Sequence, residues 1–216
     1  RRDDQRLDVE TSAGNRFVAR AVFIAAGVGA FQPKRLKLDG IDAFEPAQLT
    51  YRLDDAHAFA GRHVVVHGGD DLAIDQALRL IDAATPPGRL SLLHRREVLH
   101  SDDARALARV QSLIAEGRIQ RVVGQPVGWQ APAGALSALD LIAPDGSART
   151  LAFDHLLVAL GLSPRLGPIA DWGLAMERKQ LVVDPVQCQT RETGVFAVGD
   201  INTYPGKKKL ILCGFH

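Results

Sequence analysis

One stretch, HVVVHGGDDLAIDQALRL at residues 63–80, constrains the fold of this chain more than any other. An apolar run, Val64 to Val66, ends on the glycine pair Gly68-Gly69. Apolar residues then recur at helical spacing, at Ile74, Ala77, Leu78 and Ile81. This spacing predicts an amphipathic helix directly after a buried strand. A strand, a glycine turn and a helix in this order are typical of an α/β domain built on a parallel sheet.

The alternation of strands and helices continues along the chain. We predict a strand over residues 90–93, a helix capped by Ser101 and ending near Gly117, and a strand over residues 119–123. Segments 7–24 and 136–161 each read as a hairpin leading into an apolar strand that closes on glycine, with Phe17 to Ile24 as one strand of the first. The predicted fold class is therefore α/β, a doubly wound Rossmann-like domain with a β-meander, accompanied by a second, related domain.

The spacing of the two copies predicts how much of the second domain is present. Gly161 follows Gly68 by 93 positions, and the first copy closes at Gly27. A matching glycine loop would therefore precede residue 1, if both copies share one spacing. We expect the N-terminal part of the first domain to be absent from this sequence.

Composition limits the classes of partner. The net charge of +1 gives no indication of nucleic-acid or membrane affinity, and no apolar run approaches the ~18 residues of a spanning helix. Cys188 and Cys213 do not form a C-x-x-C pair, which favours a reducing, cytoplasmic compartment. No metal site is predicted, because His63 and His67 lack a clear pattern of supporting acids.

The loop after Val66 matches part of a dinucleotide-binding pattern. Such a loop needs a glycine for the tight turn, a second for close approach to a pyrophosphate, and a third small residue for packing. The three positions here are Gly68, Asp70 and Ala73. Asp70 opposes a bound diphosphate if it points inward, and costs little if it points outward as an N-cap. An ordinary strand–turn–helix without a ligand is the alternative interpretation.

Two further motifs point to nucleotide binding. The second predicted strand ends at His94-Arg95-Arg96, where an acid would select NAD and arginine suits the 2′-phosphate of NADP. A solvated sheet edge is the alternative for these arginines. Residues 193–201 read as a short strand that delivers Gly199-Asp200, where an acid can accept hydrogen bonds from sugar hydroxyls.

These motifs together resemble a known family. GVFAVGDINTYPGKKKLIL is similar to the C-terminal FAD signature of thioredoxin-reductase-like ferredoxin/flavodoxin–NADP⁺ reductases, in the pyridine nucleotide-disulfide oxidoreductase superfamily. VFIAAGVGAFQPKRL resembles that group's strand leaving the FAD domain, and HRREVLHSDD resembles its NADPH-phosphate strand. The resemblance runs from about residue 5 to the end of the chain.

The resemblance implies an enzyme in which a hydride passes from NADPH to FAD and electrons leave singly to ferredoxin or flavodoxin. It implies a partial FAD-binding domain at residues 1–44, an NADP-binding domain at 45–163 and the C-terminal portion of the FAD domain at 164–216. The implied FAD residues are Gly27, Gly199 and Asp200. The implied NADP(H) residues are Gly68, Gly69, Asp70, Asp71, Ala73, His94, Arg95, Arg96 and Gly161.

The chain also departs from the family pattern. Residues 51–59, where thioredoxin reductases have a C-x-x-C pair, contain no cysteine, which excludes disulfide reduction by that route. Asp70 replaces a glycine of the family loop, and His100 replaces an arginine. A catalytically inactive binding or regulatory module of the same fold is therefore the alternative, and we expect this chain alone to be inactive. Lys207 to Lys209 are a candidate docking surface or a solvated loop. The sequence does not decide whether the chain forms a homodimer.

Overall fold

The computed structural model of this chain describes residues 6–208, and the chain divides into two compact units. Of the described residues, the first unit combines 6–32 with 164–208, and the second runs from Pro33 to Ser163. The second unit starts before the expected residue 45 because Leu36 and Ile41 are packed in its core. Its end coincides with the expected one. The nucleotide that each unit binds stays a prediction, and Lys209 lies outside the described residues.

The secondary structure is mostly short strands. The first six strands are β1 (Leu7–Glu10), β2 (Arg16–Ala19), β3 (Val22–Ile24), β4 (Ala30–Pro33), β5 (Leu49–Thr50) and β6 (His63–His67). Helices and strands then alternate as α1 (Asp71–Ile81), β7 (Arg89–His94), α2 (Ala104–Ala115) and β8 (Gln120–Val123). Next come β9 (Gln125–Gln130), β10 (Ala138–Ile142), β11 (Ala148–Ala152), β12 (His155–Val158) and β13 (Leu162–Arg165). The last are β14 (Met176–Glu177), β15 (Gln180–Val182), β16 (Val195–Ala197) and β17 (Asn202–Thr203). Short 3-10 helices cover Ile41–Phe44, Ala56–Phe59, Gly167–Asp171 and Gly199–Ile201.

The second unit is built on a five-stranded sheet in the order β5-β12-β6-β7-β8. Every neighbouring pair in this sheet is parallel. The parallel sheet with helices between its strands confirms the predicted Rossmann-like α/β class. Within residues 6–208, no helix combines the length and apolar character needed to cross a membrane.

The two faces of this sheet are covered by different layers. Val64 and Val66 pack against α1 and α2 on one face. Val65, which points the opposite way, packs with residues of the antiparallel sheet β9-β10-β11 on the other. The predicted meander is confirmed, with its second turn at Asp145-Gly146. Both helices therefore share one face, and the meander takes the place of helices on the other.

The helices follow the predicted pattern in part. In α1, the predicted Ile74 and Ala77 are fully buried, and the predicted Leu78 and Ile81 are partly buried against the same core. Leu80, which was not among the predicted residues, is also fully buried. The prediction that Ser101 caps the next helix is wrong. Asp103 is the N-cap of α2, and its carboxylate accepts hydrogen bonds from the backbone N–H groups of Arg105 and Ala106. The Ser101 hydroxyl instead donates to the Asp71 carboxylate.

The first unit consists of small sheets. β1 and β2 form the predicted antiparallel hairpin. The single strand predicted from Phe17 to Ile24 is wrong, because β2 ends at Ala19 and β3 pairs in parallel with β16 instead. β14, β15 and β17 form a third sheet, and β4 pairs with β13. Ile24, Leu181 and Ala197 lie at the centre of this unit's core.

Candidate functional site

Gly68 follows β6 at a point where the backbone has no room for a side chain. Its N–H donates to the Leu93 carbonyl oxygen at 2.9 Å. A Cβ on Gly68 would lie 2.2 Å from the Ala159 carbonyl oxygen and 2.8 Å from the Ala73 Cβ. Both distances are far below van der Waals contact. Packing is therefore sufficient to explain why Gly68 and the fully buried Ala73 occupy the first and third positions of the predicted loop.

Gly69 is restricted by a different neighbour, the ring of His94. A Cβ on Gly69 would lie 2.4 to 2.5 Å from three ring atoms of His94. The His94 Nδ1–H donates to the Arg96 carbonyl oxygen at 3.1 Å. Partial burial lowers the pKa of His94, and the cations of Arg95 and Arg96 lower it further. His94 is therefore neutral at pH 7 and supports the loop by packing rather than by charge.

Arg95 and Arg96 leave the carboxyl end of β7 beside this loop, and both are exposed. The segment that carries them is attached to the loop, since the His100 N–H donates to the Gly69 carbonyl oxygen at 2.9 Å. Arg121 of β8 also donates to the Glu97 carbonyl oxygen at 3.1 Å. Sequence reasoning missed Arg121, and no pattern near residue 121 indicated it. The structure thus brings the glycine pair and the two arginines to one edge of the sheet, and their part in nucleotide binding stays a prediction.

Asp70 occupies the N-cap position of α1 but makes no capping hydrogen bond with its side chain. Asp70 is therefore an exposed N-cap residue by position, but its carboxylate supplies no capping hydrogen bond. Its Oδ2 atom lies 3.6 Å from the position a Cβ would take on Gly161. The Lys34 Nζ atom lies at the same distance from that point, and the Lys34 N–H donates to the Gly161 carbonyl oxygen at 3.0 Å. Sequence reasoning missed Lys34 as well.

The carboxylate of the neighbouring acid, Asp71, is hydrogen-bonded to other residues of the protein. Its Oδ1 atom accepts hydrogen bonds from the Ser101 hydroxyl and, at 3.0 Å, from the Asp102 N–H. The hydrogen bond from Ser101 is the main reason that the pKa of Asp71 is lowered. This carboxylate joins the start of α1 to the segment before α2. Its predicted part in cofactor binding stays a prediction.

The histidines of β6 are engaged in the fold. The His67 Nδ1–H donates to the Leu93 carbonyl oxygen at 3.2 Å, and burial lowers the pKa of His67 to about 4. The His63 Nε2 atom shares a hydrogen bond of 2.9 Å with the Ser91 hydroxyl. Among residues 6–208, no three His, Cys, Asp or Glu side chains cluster in a way that suits a metal ion.

In the first unit, Gly27 and Gly199 lie after the carboxyl ends of two adjacent parallel strands. The Val198 N–H continues the pairing by donating to the Ile24 carbonyl oxygen at 3.0 Å. Gly27 has φ +56° and Gly199 has φ +78°, which glycine adopts without strain. Apart from their chain neighbours, no atom of residues 6–208 lies within 4 Å of the Cβ position of either glycine, so the space in front of both is open to that extent.

Side chains behind Gly199 hold the backbone of this segment. The Lys207 ammonium donates to the Gly199 carbonyl oxygen at 2.5 Å and to the Asn202 carbonyl oxygen at 3.0 Å. The Gln180 amide donates to the Asp200 carbonyl oxygen at 2.7 Å. Lys207 therefore has a structural role, which weakens the idea of Lys207 to Lys209 as a docking surface.

A parallel sheet with a glycine turn at its carboxyl end defines a Rossmann-like α/β protein. The model of the family described as pyridine nucleotide-disulphide oxidoreductase matches residues 2–211, and the chain belongs to this family. The predicted resemblance is confirmed.

Relatives narrow the class. The chain is 53% identical to a ferredoxin–NADP reductase of Acidovorax sp. over 217 residues, covering 99% of this chain and 60% of that protein. It is 48% identical to a ferredoxin–NADP reductase of Methylibium petroleiphilum, covering 100% of this chain and 59% of the relative. The chain thus spans about three fifths of the length of the curated relatives it matches.

Solved structures show the same fold at lower identity. Lactococcus lactis thioredoxin reductase gives a TM-score of 0.66 at 21% identity, covering 97% of this chain and 66% of that one. Bacillithiol disulfide reductase from Staphylococcus aureus gives 0.69 at 17% identity, covering 97% and 63%. At this identity the likeness concerns the fold alone.

Proposed function

We propose that this chain is part of an FAD-dependent oxidoreductase that takes a hydride from NADPH and passes electrons to ferredoxin or flavodoxin. Membership of the family and the ferredoxin–NADP reductases among the relatives support this function. The observation that carries it is the position of Arg95 and Arg96, two exposed cations beside the glycine pair at the carboxyl edge of a parallel sheet. Ligands of open α/β sheets bind at this edge.

In this proposal the second unit binds NADP(H). Gly68 and Gly69 let the backbone approach the diphosphate, and the N-terminus of α1 supplies a favourable dipole. Arg95 and Arg96 pair with the 2′-phosphate, because guanidinium groups bind phosphate oxygens in a bidentate manner. Neutral His94 supports Gly69 from behind, and Gly161 limits the pocket on its other side.

The first unit would hold FAD through Gly27, Gly199 and Asp200. The open space in front of both glycines fits the close approach of a phosphate-bearing ligand. The Asp200 carboxylate is suited to accept hydrogen bonds from hydroxyl groups. When bound, FAD supplies the ability to take up a hydride and release its two electrons singly.

Cysteine usage separates this function from that of the thioredoxin reductases with the same fold. Thiol–disulfide exchange requires a thiolate beside the disulfide. Residues 51–59 contain no cysteine, and Tyr51, Leu53 and Phe59 are instead packed in the core of the second unit. We therefore propose that electrons leave to ferredoxin or flavodoxin without a dithiol in this segment.

Asp70 favours one alternative, a binding or regulatory module without turnover. A carboxylate near the diphosphate position opposes anion binding, as like charges at short range repel. The two functions differ in a simple measurement, because an inactive module of this kind would bind neither NADPH nor NADH.

The test uses the gene product at its native length. We expect flavin absorbance, a preference for NADPH over NADH, and NADPH-dependent reduction of ferredoxin. Arg95→Ala with Arg96→Ala should remove the preference for NADPH, and Arg118→Ala, which removes an exposed arginine elsewhere in the unit, should preserve it. A colourless protein that reduces no ferredoxin would refute the proposal, and absence of binding to either nucleotide would favour the module.

A further inference from the structure

Lys34 and Asp70, which are far apart in sequence, meet at one point of the second unit. The Lys34 Nζ and the Asp70 Oδ2 each lie 3.6 Å from the Cβ position of Gly161. The two charged atoms are therefore no more than about 7 Å apart. A lysine side chain has enough rotatable bonds to shorten that distance without any movement of the backbone.

The charge of Asp70 is what the loop must overcome to bind a diphosphate. Asp70 stands at the position where a dinucleotide loop needs close approach of the backbone, and α1 begins at the next residue. The helix N-terminus attracts anions, but a carboxylate within a few ångströms opposes that attraction. Since the Asp70 carboxylate accepts no capping hydrogen bond from the backbone of α1, it contributes this repulsion without a compensating bond to the helix.

Lys34 is held where it can offset that charge. Its backbone N–H is bonded to the Gly161 carbonyl oxygen. The next residue, Arg35, is bonded to the Glu45 carboxylate, and its guanidinium carbon lies 4.3 Å from the centre of the Tyr51 ring. The Arg35 guanidinium is thus engaged by Glu45 and Tyr51, and these contacts hold the segment one residue beyond Lys34. The Lys34 ammonium lies within about 7 Å of the Asp70 carboxylate.

We propose that Lys34 neutralises Asp70 and thereby lets the glycine loop accept the diphosphate of NADP(H). Lys34 is a positioning residue that acts through Asp70, and the inference rests on the proposed NADP(H) site. The pair replaces the glycine that such a loop ordinarily carries, because a neutralised carboxylate no longer repels an anion. Lys34 should therefore matter only while Asp70 is present.

The test compares the Kd for NADPH at low ionic strength among variants of the full chain. We expect Lys34→Gln to weaken NADPH binding about tenfold. This change lies between the effect expected for two charges that are fully screened by solvent and salt and the effect expected for two charges that are only partly screened. Lys34→Arg, which keeps the charge, should stay within about twofold of the wild type. Lys37→Gln removes an exposed lysine of the same segment and should have no effect. In an Asp70→Gly background, Lys34→Gln should change the Kd by less than about twofold.

Three results would overturn the proposal. An unchanged Kd in Lys34→Gln would show that the lysine is not needed. An equal loss with and without Asp70 would show that Lys34 contacts the phosphate directly. If Lys34→Gln weakened the binding of adenosine 2′-monophosphate as much as that of NADPH, the effect would be a general one on the fold, because adenosine 2′-monophosphate has no diphosphate. Failure of the proposed function looks different, because then neither the wild type nor Asp70→Gly would bind NADPH.

Discussion

Gly68→Ala tests whether the glycine turn is fixed by packing. The new Cβ would lie 2.2 Å from the Ala159 carbonyl oxygen and 2.8 Å from the Ala73 Cβ. Ordinary contact between such atoms is about 3.5 Å, so the backbone after β12 and the start of α1 must move apart by about 1 Å. Neither atom can rotate away, because one is backbone and the other is a Cβ.

The size of the effect follows from these contacts. Overpacking a well-packed interior costs about 1–3 kcal/mol, and backbone clashes lie at the upper end of that range. We therefore expect Gly68→Ala to lower the free energy of unfolding of the second unit by about 3 kcal/mol, more than a hundredfold in the equilibrium constant. Binding of NADPH should weaken as well, because the loop and α1 are displaced together.

The assay is urea unfolding followed by the fluorescence of Trp129 in a Trp172→Phe background, since Trp172 lies in the other unit. Gly128→Ala is the matched control. Its Cβ would lie 3.2 Å from the Asp140 Oδ2 atom and 3.6 Å from the Asp140 Cβ, contacts that a shift of a few tenths of an ångström relieves. If Gly68→Ala unfolds within about 1 kcal/mol of the control, the close-packing explanation of this glycine is wrong.

Further predictions concern the cap, the buried histidines and one surface ion pair. Asp103→Ala removes the N-cap of α2 and should cost about 1 kcal/mol in urea unfolding. Burial lowers the pKa of both His67 and His155 to about 4, so below pH 6.5 the unfolded chain takes up protons that the folded chain excludes. The free energy of unfolding should fall from pH 6.5 to about 4, and His155→Gln should reduce that slope in unfolding curves at several pH values. Arg109→Gln breaks a bidentate pair with Asp82, with N–O distances of 2.5 and 2.8 Å, but both side chains are half exposed, so the free energy of unfolding in urea should change by less than about 1 kcal/mol.

The periodic elements were predictable because their patterns are local. Three consecutive valines and the spacing of Ile74 and Ala77 define β6 and α1 without reference to the rest of the chain. The cap of α2 was not predictable in this way. Ser101 and Asp103 are both good capping residues. Which of them caps α2 depends on Asp71, thirty positions earlier, because its carboxylate accepts the hydrogen bond of the Ser101 hydroxyl.

The break between β2 and β3 has the same kind of cause. Residues 17–24 read as one apolar strand. In the structure, however, β2 pairs with β1 in the hairpin, and β3 pairs in parallel with β16, which lies near the other end of the chain. The two strands belong to different sheets, so the chain breaks between them, and only the partners reveal where the break lies. Lys34 was missed for the same reason, since its bond to Gly161 and its position near Asp70 arise from tertiary structure that no local pattern contains.

The glycines of the candidate site carry less functional information than their pattern suggests. Gly68 is required by the Ala159 carbonyl oxygen and Gly69 by the His94 ring, whether or not a ligand binds. A module that had lost its nucleotide would therefore keep both. Packing places no such requirement on Arg95 and Arg96, which are exposed. The choice between an NADPH-dependent enzyme and an inactive module therefore depends on these cations and on how the charge of Asp70 is offset.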